Sequence, residues 1–94
     1  MTIIYKKTFE NQLLYIVNYI AKDKIIASIN FANELEKLIF LIPDNPFKYK
    51  PSIYFENKNI RDMTYKGYTI NYKVNSEKEL IEVFQIFNRN KPPR

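Results

Sequence analysis

Seven side chains in the second half of the chain could do chemistry: Arg61, Tyr65, Lys66, Asn71, Lys73, Arg89 and Lys91. They are cations, a tyrosine and an amide, and that set suits contact with an anion. Histidine and cysteine are both absent. Without histidine the usual general base near neutral pH and the commonest zinc ligand are missing. Without cysteine there is no disulfide, no thiolate zinc site and no thiol nucleophile. Serine–histidine triads and most metal-hydrolase sites are therefore excluded, and neither a metal nor a cofactor is expected.

The formal net charge is +5, and it is unevenly spread. Residues 1–42 carry +1 and residues 43–57 carry zero, with Lys48 and Lys50 balancing Asp44 and Glu56. Residues 58–94 carry +4. A field of that sign attracts nucleic acid or an acidic partner, although a charged surface can serve solubility alone. Arg89 stands in a terminal cluster with Asn88, Asn90, Lys91 and Arg94, which is either a contact site or a solvated tail. Arg61 reads as a contact or as the ion-pair partner of a carboxylate such as Glu82. Tyr65, beside the Lys66-Gly67 turn, is placed to stack on a partner. Asn71 and Lys73 alternate with Tyr72, so they face solvent or a bound protein.

These residues need a sheet to hold them. From Asn59 to Asn90 the pattern predicts three consecutive antiparallel strands. Tyr68, Ile70, Tyr72 and Val74 alternate with polar residues at period two, which makes the tyrosines core. Lys66-Gly67 is a turn and holds the only glycine. Asn75 to Lys78 is the next turn. Leu80 to Phe87 is apolar at nearly every position, the mark of a central strand covered on both faces. Pro92-Pro93 forbid further pairing.

Upstream, Thr2 to Lys6 reads as a short strand. Thr8 can cap a helix whose apolar positions Phe9, Leu13, Ile16, Val17 and Ile20 share one face. Asp23 can stop it and cap a second helix, from about Lys24 to Ile42. Ile25, Ile29, Ala32, Leu35, Leu38, Ile39 and Ile42 form the expected core face there. Phe31, Phe40 and Leu41 fall off that stripe, so they pack on the sheet edge or offer apolar surface to a partner. The short break between the helices makes an antiparallel hairpin. Pro43 to Ser52 is a proline-rich loop, and Ile53 to Phe55 is a weak strand or a packing loop. The fold class is α+β: an N-terminal strand and a helical hairpin packed on a C-terminal three-stranded meander, in one domain spanning 1–94. No signal pattern precedes Lys6-Lys7, and no apolar run approaches the roughly 20 residues that span a bilayer. A cytoplasmic location is expected.

That order resembles the RelE/ParE superfamily of toxins from bacterial type II toxin–antitoxin systems. The likeness covers nearly the whole chain. IVNYIAKDKIIASINFANELEKLIFLIPDNP, residues 16–46, resembles the family's paired helices followed by Leu-x-x-x-Pro. Ile60-Arg61-Asp62-Met63 resembles its arginine-bearing strand, Tyr68-Thr69-Ile70-Asn71-Tyr72 its Tyr-x-Ile-x-Tyr strand, and Ile81 to Arg89 its last strand with a basic end.

The resemblance implies a cognate antitoxin and one of two targets. RelE-like members cut mRNA in the ribosome; ParE-like members poison DNA gyrase and are not enzymes. RNA cleavage needs a base for the 2′-hydroxyl, cations for the phosphorane and an acid for the leaving oxygen. In a RelE-like reading these fall to Arg61, Lys66, Lys73 and Arg89, with Arg89 matching the family's catalytic arginine. Several contributors are missing, however. Thr69 stands where the family carries a further arginine, the paired lysines are reduced to Arg61 beside Asp62, and no tyrosine follows Arg89. The chain therefore resembles ParE more closely, with Arg61, Tyr65, Asn71, Lys73, Arg89 and Lys91 as contacts for target or antitoxin. A third alternative is a degenerate, non-toxic binding module. Because the antitoxin must meet the +4 half, its isolated C-terminal peptide should bind more weakly as salt rises. Affinity in a calorimetric titration that does not move with salt would refute this.

Overall fold

A computed structural model describes residues 1–92 of the chain. Pro93 and Arg94, assigned to the strand stop and the basic cluster, lie outside them. The element order is β1 (Thr2–Tyr5), α1 (Lys7–Ala21), α2 (Ile25–Phe40), a 3₁₀ turn (Ile42–Asp44), β2 (Ile60–Tyr65), β3 (Tyr68–Asn75) and β4 (Leu80–Asn88). The strands form one sheet in the order β1-β4-β3-β2. β2, β3 and β4 are the antiparallel meander. β1 joins parallel to β4, with Thr2 opposite Leu80 and Tyr5 opposite Val83. Among the described residues no helix is long and apolar enough to cross a membrane.

Both helices pack on one face of the sheet. Phe9 and Ile16 of α1 and Phe31, Leu35 and Ile39 of α2 meet Met63, Ile70, Tyr72, Val74, Ile81, Val83 and Ile86 in a single core. The α1 stripe is the one its spacing predicts. The α2 stripe is rotated from expectation. Ile25 and Ile29 are 67% and 53% exposed, whereas Ser28 and Phe31 are buried. Two contacts explain this. The Ser28 hydroxyl donates back to the Ile25 carbonyl at 2.6 Å, so it is buried without losing a hydrogen bond. Phe31 packs against Tyr65 and Tyr68, at 5.2 and 5.4 Å between ring centroids. Phe40 and Leu41 stay exposed.

Neither helix starts where its cap was expected. Lys6 and Lys24 occupy the two cap positions, and neither makes a side-chain capping bond. Thr8 lies inside α1 and Asp23 in the interhelical turn. The start of α1 is set by the sheet instead: Lys6 N donates to the Val83 carbonyl at 2.9 Å, and the Lys6 carbonyl accepts from Glu10 N at 3.1 Å. One backbone unit thus ends the β1 ladder and begins the helix.

β4 changes parity partway along. The β3–β4 register shifts between Asn71, opposite Gln85, and Tyr72, opposite Val83, leaving Phe84 as a bulge residue. The bulge lets Val83 and Ile86 both point into the core. Gln12 of α1 reaches it, its Oε1 accepting from Ile86 N at 2.8 Å. Tyr72 is fully buried, as predicted, and its hydroxyl donates to the Pro46 carbonyl at 2.6 Å.

The β2–β3 hairpin has a two-residue turn, Lys66-Gly67, with φ of 46° and 84°. Positive φ at both central positions is the requirement of the type I′ turn, whose twist matches the strands. A Cβ on Gly67 would meet nothing within 4 Å, so the cost of alanine there is conformational alone. Gly67→Ala should lower stability by about 1–2 kcal/mol, read as a lower urea midpoint with unchanged slope.

Candidate interaction surface

The sheet's second face carries Phe84 and Phe87, and no helix reaches it. The loop after the 3₁₀ turn covers them instead. Tyr54 packs edge-on against Phe87 at 5.0 Å and Phe55 against Phe84 at 5.5 Å. Of the expected strand or packing loop at Ile53 to Phe55, this is the packing loop for Tyr54 and Phe55, while Ile53 stays exposed. The loop is tied along the outer edge of β2 by a Pro51–Arg61 bridge, by Ser52 N donating to the Ile60 carbonyl at 2.8 Å, and by Asp62 N donating to the Lys50 carbonyl at 3.2 Å.

Arg61 is part of that fastening. Its Nε donates to the Lys58 carbonyl and its Nη1 to the Tyr49 carbonyl, both at 3.0 Å. Its guanidinium lies 4.8 Å from the centre of the Phe47 ring. The expected partner Glu82 stands opposite Lys73 instead. A side chain so engaged holds backbone and is not presented to a partner.

Asn71 is also placed differently from expectation. It is fully buried. Its Nδ2 donates to Asp62 Oδ1 at 2.6 Å, and its Oδ1 accepts from Gln85 Nε2 at 2.8 Å. The three side chains form a row across β2, β3 and β4. The second oxygen of Asp62 accepts from Ile53 N at 3.1 Å. The row joins loop to sheet and leaves Asn71 unavailable to solvent or a bound protein.

Tyr65 and Lys66 converge on α2. The Tyr65 hydroxyl donates to Glu34 Oε2 at 2.6 Å, and Lys66 Nζ sits 3.2 Å from the same oxygen. Those contacts, the Tyr65 hydrogen bond first, hold the Glu34 carboxyl below its ordinary value. Burial, and then Glu34, push the Tyr65 hydroxyl up. Burial raises the Tyr72 hydroxyl as well.

Arg89 remains exposed. Its backbone N–H donates to the Gly67 carbonyl at 2.8 Å, which fixes where the basic corner leaves the sheet. Its side chain lines a cleft of about 470 Å³ with Lys48, Lys50, Tyr54, Asp62 and Thr69. Lys91 lines a different groove, between α1 and the end of β4, with Tyr15, Tyr19 and Tyr68. Lys73 lies four positions along β3 from Thr69, roughly 13 Å away at strand rise. The four cations of the RelE-like reading thus stand in four separate places: Arg61 on carbonyls, Lys66 on Glu34, Lys73 at the far end of β3, Arg89 in the cleft.

The model of the ParE toxin of the type II toxin–antitoxin system parDE matches residues 3–93. The chain belongs to the ParE toxin family. A chromosomal ParDE system from P. aeruginosa supplies a similar solved structure, with a TM-score of 0.75 at 14% identity over 94% of this chain and 95% of that one. At that identity the likeness is one of fold, and it covers the whole α+β arrangement. A search of curated proteins returns no match.

For a ParE toxin, the antitoxin is the implied partner. Sequence reasoning had no route to the lysines of the cleft. Lys48 and Lys50 sit in a segment of zero net charge, and only the folding of the loop onto Phe87 carries them beside Arg89. The available signal was the aromatic run Tyr54-Phe55, which must cover something.

The Glu34 contacts give a pH dependence of stability. A carboxyl held below its ordinary value of 4.5 contributes fully above that pH, and the contribution fades as pH falls through the lowered value. Glu34→Gln should melt slightly lower than the parent near neutrality, and the gap should close as pH falls below the ordinary carboxyl value of 4.5. Both groups are about half exposed, so the effect stays small and weakens with salt. A gap constant across pH would contradict it.

Proposed function

We propose that this ParE toxin arrests growth by binding DNA gyrase in the cytoplasm, catalyses no reaction itself, and is neutralised by a cognate antitoxin. The observation that carries the reading is the family match over nearly the whole chain. The scattered cations support it. A phosphorane needs several positive groups converging on one site, and Arg61 and Lys66 are committed to intramolecular partners.

Two surfaces suit the antitoxin. The groove between α1 and β4 is lined by Tyr15, Ile16, Tyr19, Tyr68 and Ile86, with Lys91 at its rim, and accepts the apolar face of a helix. β1 is an edge strand whose outer side pairs with nothing among the described residues, and it accepts an added strand. Lys91 and Lys73 give an acidic antitoxin its charge partners. Arg89 is the exposed cation left for the target.

The test is purified toxin incubated with DNA gyrase, plasmid and ATP. The expected result is accumulation of cleaved plasmid, abolished by prior addition of the antitoxin and reduced at least tenfold by Arg89→Ala. Normal supercoiling with protein that still halts growth would remove gyrase as the target and point to ribosome-bound mRNA. Unimpaired growth on expression without antitoxin would identify a non-toxic binding module.

A further inference from the structure

The cleft beneath the 45–59 loop adds Lys48, Lys50 and Tyr54 to Arg89, and the gyrase and antitoxin readings use none of the three additions. Lys48, Lys50 and Arg89 are all exposed and line it together. The sole ion pair among the described residues is the one between Lys66 and Glu34, so none of the three is neutralised there. The only carboxylate in the lining is Asp62, and both its oxygens are occupied, one by Asn71 and one by the backbone of Ile53. Aromatic rings alternate with the cations along the loop: Tyr49 between Lys48 and Lys50, then Tyr54. Lys48 Nζ lies 5.6 Å from the centre of the Tyr49 ring. Tyr54 is half-buried, and its edge contact with Phe87 fixes its position.

We propose that this cleft binds single-stranded nucleic acid, with phosphates on Lys48, Lys50 and Arg89 and a base against Tyr54. A positive groove with aromatic platforms is the physical requirement for gripping a single strand without reading its sequence. Thr64, exposed in the cleft lining, adds a hydroxyl donor for a phosphate oxygen. The wall is already ordered, because Arg61 and the β2 edge bonds fasten the loop before any ligand arrives, and a preformed site binds without a further ordering cost. An acidic peptide would meet the same cations but gain nothing from the rings. The binding needs neither gyrase nor the antitoxin to be present, shares only Arg89 with the gyrase reading, and includes no cleavage.

The measurement is fluorescence anisotropy of a labelled oligothymidine of about 12 nucleotides with the purified toxin. Three phosphate contacts predict a log–log salt slope of about −2, or roughly 15- to 20-fold weaker binding from about 50 to about 200 mM salt. Lys50→Gln with Arg89→Gln should weaken binding at least tenfold and flatten the slope toward about −0.7. Lys22→Gln with Lys24→Gln, at the hairpin tip and of equal charge change, should leave binding unchanged. Tyr54→Leu retains apolar cover for Phe87 and should lose about tenfold with the slope intact. Lys22, Lys24, Lys50 and Arg89 make no side-chain bond among the described residues, so melting temperatures of the two double variants should match the parent. No binding at low salt would overturn the proposal, as would equal losses in the two double variants. Displacement by polyglutamate as effective as by unlabelled oligothymidine, with Tyr54→Leu inert, would assign the cleft to an acidic peptide instead.

Discussion

A strand that is apolar on both faces cannot be left half covered, and β4 presents Phe84 and Phe87 on the side the helical hairpin does not reach. The two helices cover Ile81, Val83 and Ile86 from the other face. The remaining cover has to come from elsewhere, and Tyr54 and Phe55 are the aromatic residues within reach. That requirement draws a proline-rich segment across the sheet. Burying an aromatic side chain is worth about 1.5–3 kcal/mol, enough to order a loop whose prolines have already reduced its freedom in the unfolded chain.

Once the loop lies there, its polar groups must be satisfied. Asp62, Asn71 and Gln85 do this in one connected row, and no buried side-chain nitrogen or oxygen among the described residues lacks a partner. A fully satisfied buried network rigidifies what it joins. Arg61 extends the same work to the loop's outer margin. The consequence for charge is simple. Of the groups the sequence offers as binding residues, the fold consumes Arg61, Asn71, Tyr65 and Lys66 and leaves Lys73, Arg89 and Lys91, while the loop adds Lys48 and Lys50, which the sequence did not single out.

The architecture was legible because it follows from periodicity. The alternation through Tyr68 to Val74 and the α1 stripe from Phe9 to Ile20 each have one physical solution. The α2 face was not, because a stripe drawn from aliphatic residues alone omits a serine that satisfies itself on the helix backbone and a phenylalanine drawn to two tyrosines. Capping residues misled for a related reason: strand pairing at Lys6 N overrides any local preference of Thr8. The bulge at Phe84 leaves no trace in composition. At the interaction surface, exposure was inferred from strand alternation, and alternation is silent about what a distant loop will cover. Asn71 points away from the helices, as its parity requires, yet lies under a second layer.

The parallel pairing of β1 with β4 has a temporal consequence. Thr2 and Leu80 are neighbours across the ladder although nearly the whole chain separates them, and closure over such a distance is slow to be rewarded. On the ribosome, β1 emerges first and has no partner until the last strand follows. The backbone unit at Lys6 that starts α1 waits with it, as does the Gln12 anchor on Ile86. β3 likewise has only one of its two neighbours until then, and Phe84 and Phe87 are the surface on which the loop settles. A nascent chain halted before β4 therefore lacks the helix start, the sheet centre and the ordered loop together. Closure of the sheet on both sides of β4 is thus a single event that waits for that strand.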